Sequence, residues 1–341
     1  MNTNTRNIND VLQNSIRKIK LDINPRQIRL LKVGSLTGLS TLIKIASGFV
    51  INKVIAVYIG PSGVALLGQF QNFVNIIRSF SNGSVNNSII KYVAEYYDNK
   101  DKQDKILSTA FALSLLFSLI CTLFLIFYKD QLSLYLLKTD KYGDIFFLLG
   151  ITTVLFSLNN LFISIMNGFK EIKKYVLLNI TSNLGALIFT TILVIHMGLY
   201  GALVSFIWSQ VVIFVITVFY IVKCKWFNFR TFFNGIDSDS ARKLAKYSGM
   251  AIVSAIVASF SQILVRNHIA STISMDAAGY WQGVWKISEV YLLFITTTLS
   301  IYYLPRLSEI KDRFELKKEI VSSYKIILPA VSLVALTIYI C

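Results

Sequence analysis

Nine apolar runs recur along this chain, near residues 34–58, 63–90, 107–128, 143–167, 175–196, 199–222, 247–265, 279–304 and 320–341. Wound as helices, runs of about 20 residues match the ~30 Å hydrocarbon core of a bilayer. Because 54% of the 341 residues are hydrophobic, the chain has more apolar surface than a soluble domain of this size can cover. An all-α polytopic membrane protein is the expected class.

A net charge of +16 would suggest nucleic acid in a soluble protein, so the placement of the cations matters. With the N-terminus in the cytoplasm and the runs alternating in direction, 25 of the 34 Lys and Arg residues fall in inner flanks and loops. Only Lys129, Lys138, Lys141 and Arg266 fall outside. This asymmetry follows the positive-inside rule, so the basic balance reports topology and no nucleic-acid partner is expected. The first run starts after about 33 basic, Asn-rich residues and lacks a small-residue cleavage pattern, so it reads as a retained span.

Residues 1–33 read as a basic cytoplasmic segment, either lying on the anionic inner leaflet or a frayed tail. A first lobe of six helices is expected over 34–222, and an aromatic, basic interfacial linker over 223–246. The remaining lobe, 247–341, holds three helices. A shift of 214 residues lays "LLKVGSLTGL" (30–39) over "LAKYSGMAIV" (244–253) and "LLGQF" (66–70) over "YWQGV" (280–284). It also lays Asn52 and Lys53 over Arg266 and Asn267. On this internal repeat about three further helices are expected after the ninth, so that the chain reads as about nine of twelve.

Five cations fall inside the runs: Lys44, Lys53, Arg78, Lys286 and Lys325. A cation at mid-bilayer costs ~3 kcal/mol on insertion scales and normally faces a cavity or a partner. Lys44 lies ten residues into the first run, too deep for easy snorkelling, whereas Lys53 is near the outer end and could reach the interface. Nine residues at ~100° each point the two to opposite sides of a straight helix. The second run carries Gln69, Gln71, Asn72, Asn75, Asn82, Asn86 and Asn87 beside Arg78, which suits the lining of a watery or substrate-filled cavity. Interhelical hydrogen bonding is the alternative for these amides. The eighth run carries Trp281, Gln282, Trp285, Lys286, Glu289 and Tyr291. There Lys286 and Glu289, three residues apart, can form a structural ion pair, and Glu289 is also the candidate for proton or cation coupling.

A positive interior wants an anion, and amides with aromatic rings suit sugars, so the mixture points to a phosphate or pyrophosphate head bearing a glycan. The residues point away from enzymatic chemistry. Asp237 and Asp239 have a metal-motif spacing but sit just before a helix, where capping is expected. His196 and His268 are isolated, and Cys121, Cys224 and Cys341 have no ligand spacing, so no metal, cofactor or catalytic residue is expected.

The stretches "TLIKIASGFVINKVIAVYIGPSGVAL", "KYVAEYYDN" and "GYWQGVWKISEVYLLFITTTLSIYYLPRLSEI", followed by "ILPA", resemble the Wzx-type flippases. These include the O-antigen and enterobacterial common antigen translocases of the MOP superfamily. The resemblance implies a MATE-like, two-lobe inner-membrane transporter that moves undecaprenyl-pyrophosphate-linked oligosaccharide to the periplasmic leaflet. Lys44, Lys53, Lys91 and Arg266 fall on basic positions of that pattern and Glu289 on an acidic one. On this reading Lys44, Lys53 and Arg266 hold pyrophosphate, and Gln69, Asn72, Asn75, Trp281 and Gln282 meet the glycan. Arg78 and Lys286 are further candidates, and other polysaccharide assembly proteins are expected as partners. Two alternatives remain: a MATE-like exporter of drugs or organic ions, which would prefer an acidic cavity, and a membrane-embedded glycan polymerase or ligase. The latter needs a large outer loop, and the longest expected here are 129–142 and 266–278.

Overall fold

The computed structural model describes residues 25–298, except 84 and 225, together with scattered residues between 314 and 336. Residues 1–24 of the expected basic segment and most of the ninth run, 320–341, lie outside the described residues. Among the described residues up to 298, eight α-helices and one 3-10 turn follow in order. They are α1 (Pro25–Ser81), α2 (Asn86–Glu95), α3 (Lys100–Phe127), α4 (Lys129–Leu137), α5 (Gly143–Gly168) and α6 (Ile172–Val222). The 3-10 turn Phe229–Phe233 then leads to α7 (Ser238–Thr272) and α8 (Met275–Thr298).

Five of these helices are long and apolar enough to cross a membrane: α1 from Gly38, α3, α5, α6, and α7 from Ile252. Two of them are too long for one crossing. The 44 residues from Gly38 to Ser81 and the 51 of α6 would extend about 66 and 76 Å, over twice the hydrocarbon core. Each is broken at one glycine, Gly60 (φ 77°, ψ 177°) in α1 and Gly198 (φ 56°, ψ −133°) in α6. Those dihedrals lie where a β-carbon clashes, so glycine is the residue that can break the helix there. Pro61 follows Gly60 at the first position of the next limb, where its missing N–H leaves no hydrogen bond unmade. The breaks fall between the runs expected as separate spans, and the protein is a multi-pass α-helical membrane protein.

The described residues form two compact units. The first comprises the chain up to Ile59 and Gln69–Leu264; the second comprises Gly60–Gly68 and the chain from Val265. In the first, α5 is the most buried spanning helix and packs against α2, α3, α4 and α6. Its Leu161, Ile165 and Met166 meet Ile89 and Val93 of α2, Leu107 and Ala110 of α3 and Leu178 of α6. In contrast, α3 exposes Leu116, Ile120, Leu123 and Phe127, a stripe that water would penalise and lipid would not.

The expected linker over 223–246 lies on the first unit, which continues through it to Leu264. Trp226 stacks on Phe169 at 4.6 Å, and Phe232 is buried against Phe111, Phe162 and Phe227. The backbone N–H of Asp237 donates to Thr109 Oγ1 at 2.9 Å. The Asp237 carboxylate accepts from the Ser240 N–H at 2.8 Å and so caps the start of α7, as its position before the helix predicts.

Candidate functional site

The second limb of α1 places its polar residues by helical periodicity. Asn75, Arg78, Ser79 and Asn82 occupy positions i, i+3, i+4 and i+7, which share one face. Arg78 sits one turn before the helix ends at Ser81, and a turn through Gly83 leads to Asn86 at the start of α2. With Asn160 of α5 and the small side chains of Ala255, Ala258 and Ser259 from α7, these residues line an open cavity of about 400 Å³. The whole cavity belongs to the first unit.

Arg78 is held from behind by aromatic rings. Its Cζ lies 5.1 Å from the Phe156 ring centre and 5.6 Å from that of Phe206. Such contacts stabilise the cation without using its N–H donors. The Arg78 Nε and Nη2 atoms are buried with no hydrogen-bond partner, and so are the side-chain oxygens of Asn82 and Asn86. Among the described residues that line the cavity none is acidic, and Arg78 is its one cation.

A second cluster lies in the second unit. The sequence placed Arg266 in an outer loop over 266–278, but α7 continues to Thr272 and buries Arg266 to 2% exposure. In its last turn Ser271 and Thr272 donate their hydroxyls back to the His268 carbonyl. Arg266 Nη2 donates to Gln282 Oε1, and the guanidinium lies 5.6 Å from the Trp281 ring centre. Trp281 stacks on Trp285 at 5.5 Å. Glu289 accepts from Trp285 Nε1 at 3.1 Å and from Lys286 Nζ at 3.0 Å, so both of its oxygens are engaged and the expected ion pair forms.

The other sequence candidates are placed separately. Lys44 and Lys53 are exposed on the first limb of α1. Gln69 and Asn72 are buried, and Asn72 donates to Gln262 Oε1 at 3.2 Å, the interhelical bond that the alternative reading of these amides predicts. Within the first unit, then, the structure joins Asn75 to Arg78; within the second it joins Arg266 to Trp281 and Gln282, and Lys286 to Glu289. Ser79, Asn160 and Ser259 were not singled out in the sequence. The pair Asn159–Asn160 in the middle of an apolar run was the available signal for one of them.

The helices and their breaks at glycine define a multi-pass α-helical membrane fold that carries buried polar clusters. Solved structures agree. The inward-facing conformation of a multidrug resistance MATE family transporter of the MOP superfamily is similar with a TM-score of 0.67 at 14% identity, covering 84% of this chain and 69% of that one. A MOP superfamily transporter from Pyrococcus furiosus described as having reverse polarity of its binding pocket gives 0.60 at 14% identity, over 76% of this chain and 60% of that one. In sequence, the family model for polysaccharide biosynthesis proteins matches residues 30–311, and the chain belongs to that family. The lipid III flippases of Escherichia coli (strain K12) and Shigella flexneri are each 28% identical over 310 residues, which cover 91% of this chain and 74% of theirs.

Proposed function

We propose that this protein is a flippase for lipid-linked oligosaccharide. Its cargo on this reading is an O-antigen or related repeat unit on undecaprenyl pyrophosphate, moved from the cytoplasmic to the periplasmic leaflet by alternating access. Arg78 is the observation that carries this: a half-buried cation, two of whose nitrogens are buried without a hydrogen-bond partner, at an amide-lined cavity that has no acid among its described lining residues. Such a cavity repels organic cations and attracts a phosphate bearing hydroxyls. Membership of the polysaccharide biosynthesis family and similarity to proteins named lipid III flippase support the same class of cargo.

The polyprenyl tail remains in lipid, because passage through a polar cavity would strip it of its apolar surroundings. The excess of cations on alternate loops supports an inner-membrane protein with a cytoplasmic N-terminus. Lys44 and Lys53 remain proposed as positive charge along the first limb of α1. Glu289, held by Lys286, remains the proposed coupling acid.

Complementation of a flippase-null strain tests the reading. Surface glycan and the lipid-linked intermediate in the cytoplasmic leaflet are scored with the wild-type chain and with Lys44→Ala and Arg78→Gln at equal protein level. Restored export that Arg78→Gln abolishes supports the proposal. Export that is unaffected by both substitutions argues against a cationic cavity.

A further inference from the structure

We propose that the 3-10 turn of the linker is a binding site for an anionic phospholipid of the surrounding bilayer, with Arg230 on its phosphate and Phe229, Phe233 and Ile236 among its acyl chains. The inference rests on the membrane fold alone and is independent of the flippase reading.

The linker sorts its apolar side chains in two directions. Trp226 packs inward on Phe169, and Phe232 is buried against Phe111, Phe162 and Phe227. Phe229, Phe233 and Ile236 are left outside, with 65%, 63% and 59% of their surface exposed. The two exposed rings touch each other, with centres 5.0 Å apart, so they form one apolar wedge. Scattered exposed apolar side chains are ordinary on any protein, whereas a contiguous wedge of this kind is a surface that an apolar partner covers.

Depth identifies that cover as lipid. Phe233 packs against Phe111 of α3 at 5.5 Å, and the backbone N–H of Asp237 donates to Thr109 of the same helix. Phe111 lies four residues inside the apolar run that begins at residue 107, about 6 Å of rise. Leu116, the first residue of the exposed stripe on α3, follows about 7.5 Å further along. The wedge therefore sits where hydrocarbon gives way to headgroups. Interfacial segments bury their apolar faces to a depth of roughly 5–10 Å, and aromatic rings concentrate at the same level.

Charge selects the lipid. In a 3-10 helix the residues i and i+3 lie one above the other, so the exposed Arg230 stands beside Phe233. A guanidinium at the edge of an apolar wedge meets the phosphate of a lipid whose chains cover the wedge, and can bind it through two N–H donors. Between residues 223 and 246 the chain carries six Lys and Arg against two acids. Both acids are engaged, Asp237 with the Ser240 N–H at 2.8 Å and Asp239 with Lys243 at 2.5 Å. The remaining positive excess favours an anionic headgroup over a zwitterionic one.

The test reconstitutes the full chain in bilayers whose acyl chains carry bromine, a contact quencher of tryptophan, and reads the fluorescence that Phe233→Trp adds to the four native tryptophans. Leu123→Trp, on the lipid-facing stripe of α3, is the control. In wholly brominated phosphatidylglycerol or phosphatidylcholine, Phe233→Trp is expected to be quenched as the control is. In equimolar mixtures with only one of the two lipids brominated, phosphatidylglycerol is expected to occupy the site about fivefold more strongly than phosphatidylcholine, the factor that one surface cation contributes. At Leu123→Trp the ratio should stay near one. Adding Arg230→Gln to Phe233→Trp should bring its ratio near one as well, while quenching in wholly brominated lipid persists and shows that the linker is still folded in place. No quenching of Phe233→Trp where the control is quenched overturns the proposal and leaves the wedge to a water-soluble partner. Equal occupancy by the two lipids with Arg230 present overturns the anionic site, and a preference that survives Arg230→Gln overturns the role of Arg230.

Discussion

Gly68 faces the side chain of Gln282, its counterpart 214 residues further along the chain. A β-carbon on residue 68 would come within 2.7 Å of Gln282 Cδ. The same separation relates Ser62 to Asp276, whose carboxylate accepts the Ser62 N–H at 3.1 Å. This separation equals the shift that lays the two halves of the sequence over one another.

Gly68→Ala is expected to lower stability by about 1–3 kcal/mol, the usual cost of overpacking, and to displace Gln282 from Arg266. Thermal melting in detergent checks the first part. In a Gln282→Ala background the cost should fall by more than half, because the atom in the way has gone; an undiminished cost would place the strain elsewhere.

Arg266 is buried beside Gln282 and Trp281. If charge is its main contribution, Arg266→Ala reduces glycan export more than Arg266→Lys at matched protein level. Equal loss in both variants would instead indicate dependence on the planar guanidinium, which a lysine cannot reproduce.

Lys286 and Glu289 are three residues apart on α8 and partly exposed, so their pair should stabilise by only about 0.2–0.5 kcal/mol. Exchanging them, Lys286→Glu with Glu289→Lys, is expected to restore the melting temperature lost in either single variant. Export measured on the exchanged pair then distinguishes the roles. Recovery means that the pair is structural, and continued failure means that a carboxylate is needed at residue 289 itself.

Asp237 gives the start of α7 a pH dependence. Hydrogen bonds from Ser240, with Lys105 and Lys243 nearby, hold its carboxyl below the usual carboxylate range. A depressed folded-state pKa means that the stabilisation is fully present above the unfolded value of about 4 and is lost as pH falls through the folded one. Hydrogen exchange in the first turn of α7 should therefore accelerate as pH drops below about 4, after correction for the intrinsic rate. The Asp237→Asn protein should show no such step.

Phe232 fastens the linker to α3 and α5. Its truncation to alanine should cost about 3–5 kcal/mol in the first unit and expose the linker to protease, as judged by limited proteolysis of membranes. A linker that stays protected would show that Trp226 on Phe169 suffices to hold it.

The membrane class, the approximate spans, the breaks near Gly60 and Gly198 and the polar character of the second run around Arg78 were determined by the sequence alone. All of these follow from local rules: span length is set by bilayer thickness, and a helix turns a fixed angle per residue, so spacing states which side chains share a face. Only tertiary structure decided what covers each face. Arg266 read as an outer-loop residue because the apolar run ends near it, yet α7 continues to Thr272 and Gln282 meets it from α8. Asn72 and Arg78 read alike as polar residues on one helix, yet Gln262 satisfies the first, while rings from α5 and α6 hold the second at the edge of a cavity. Helical period fixes neighbours within a helix and carries no information about which distant segment packs against it.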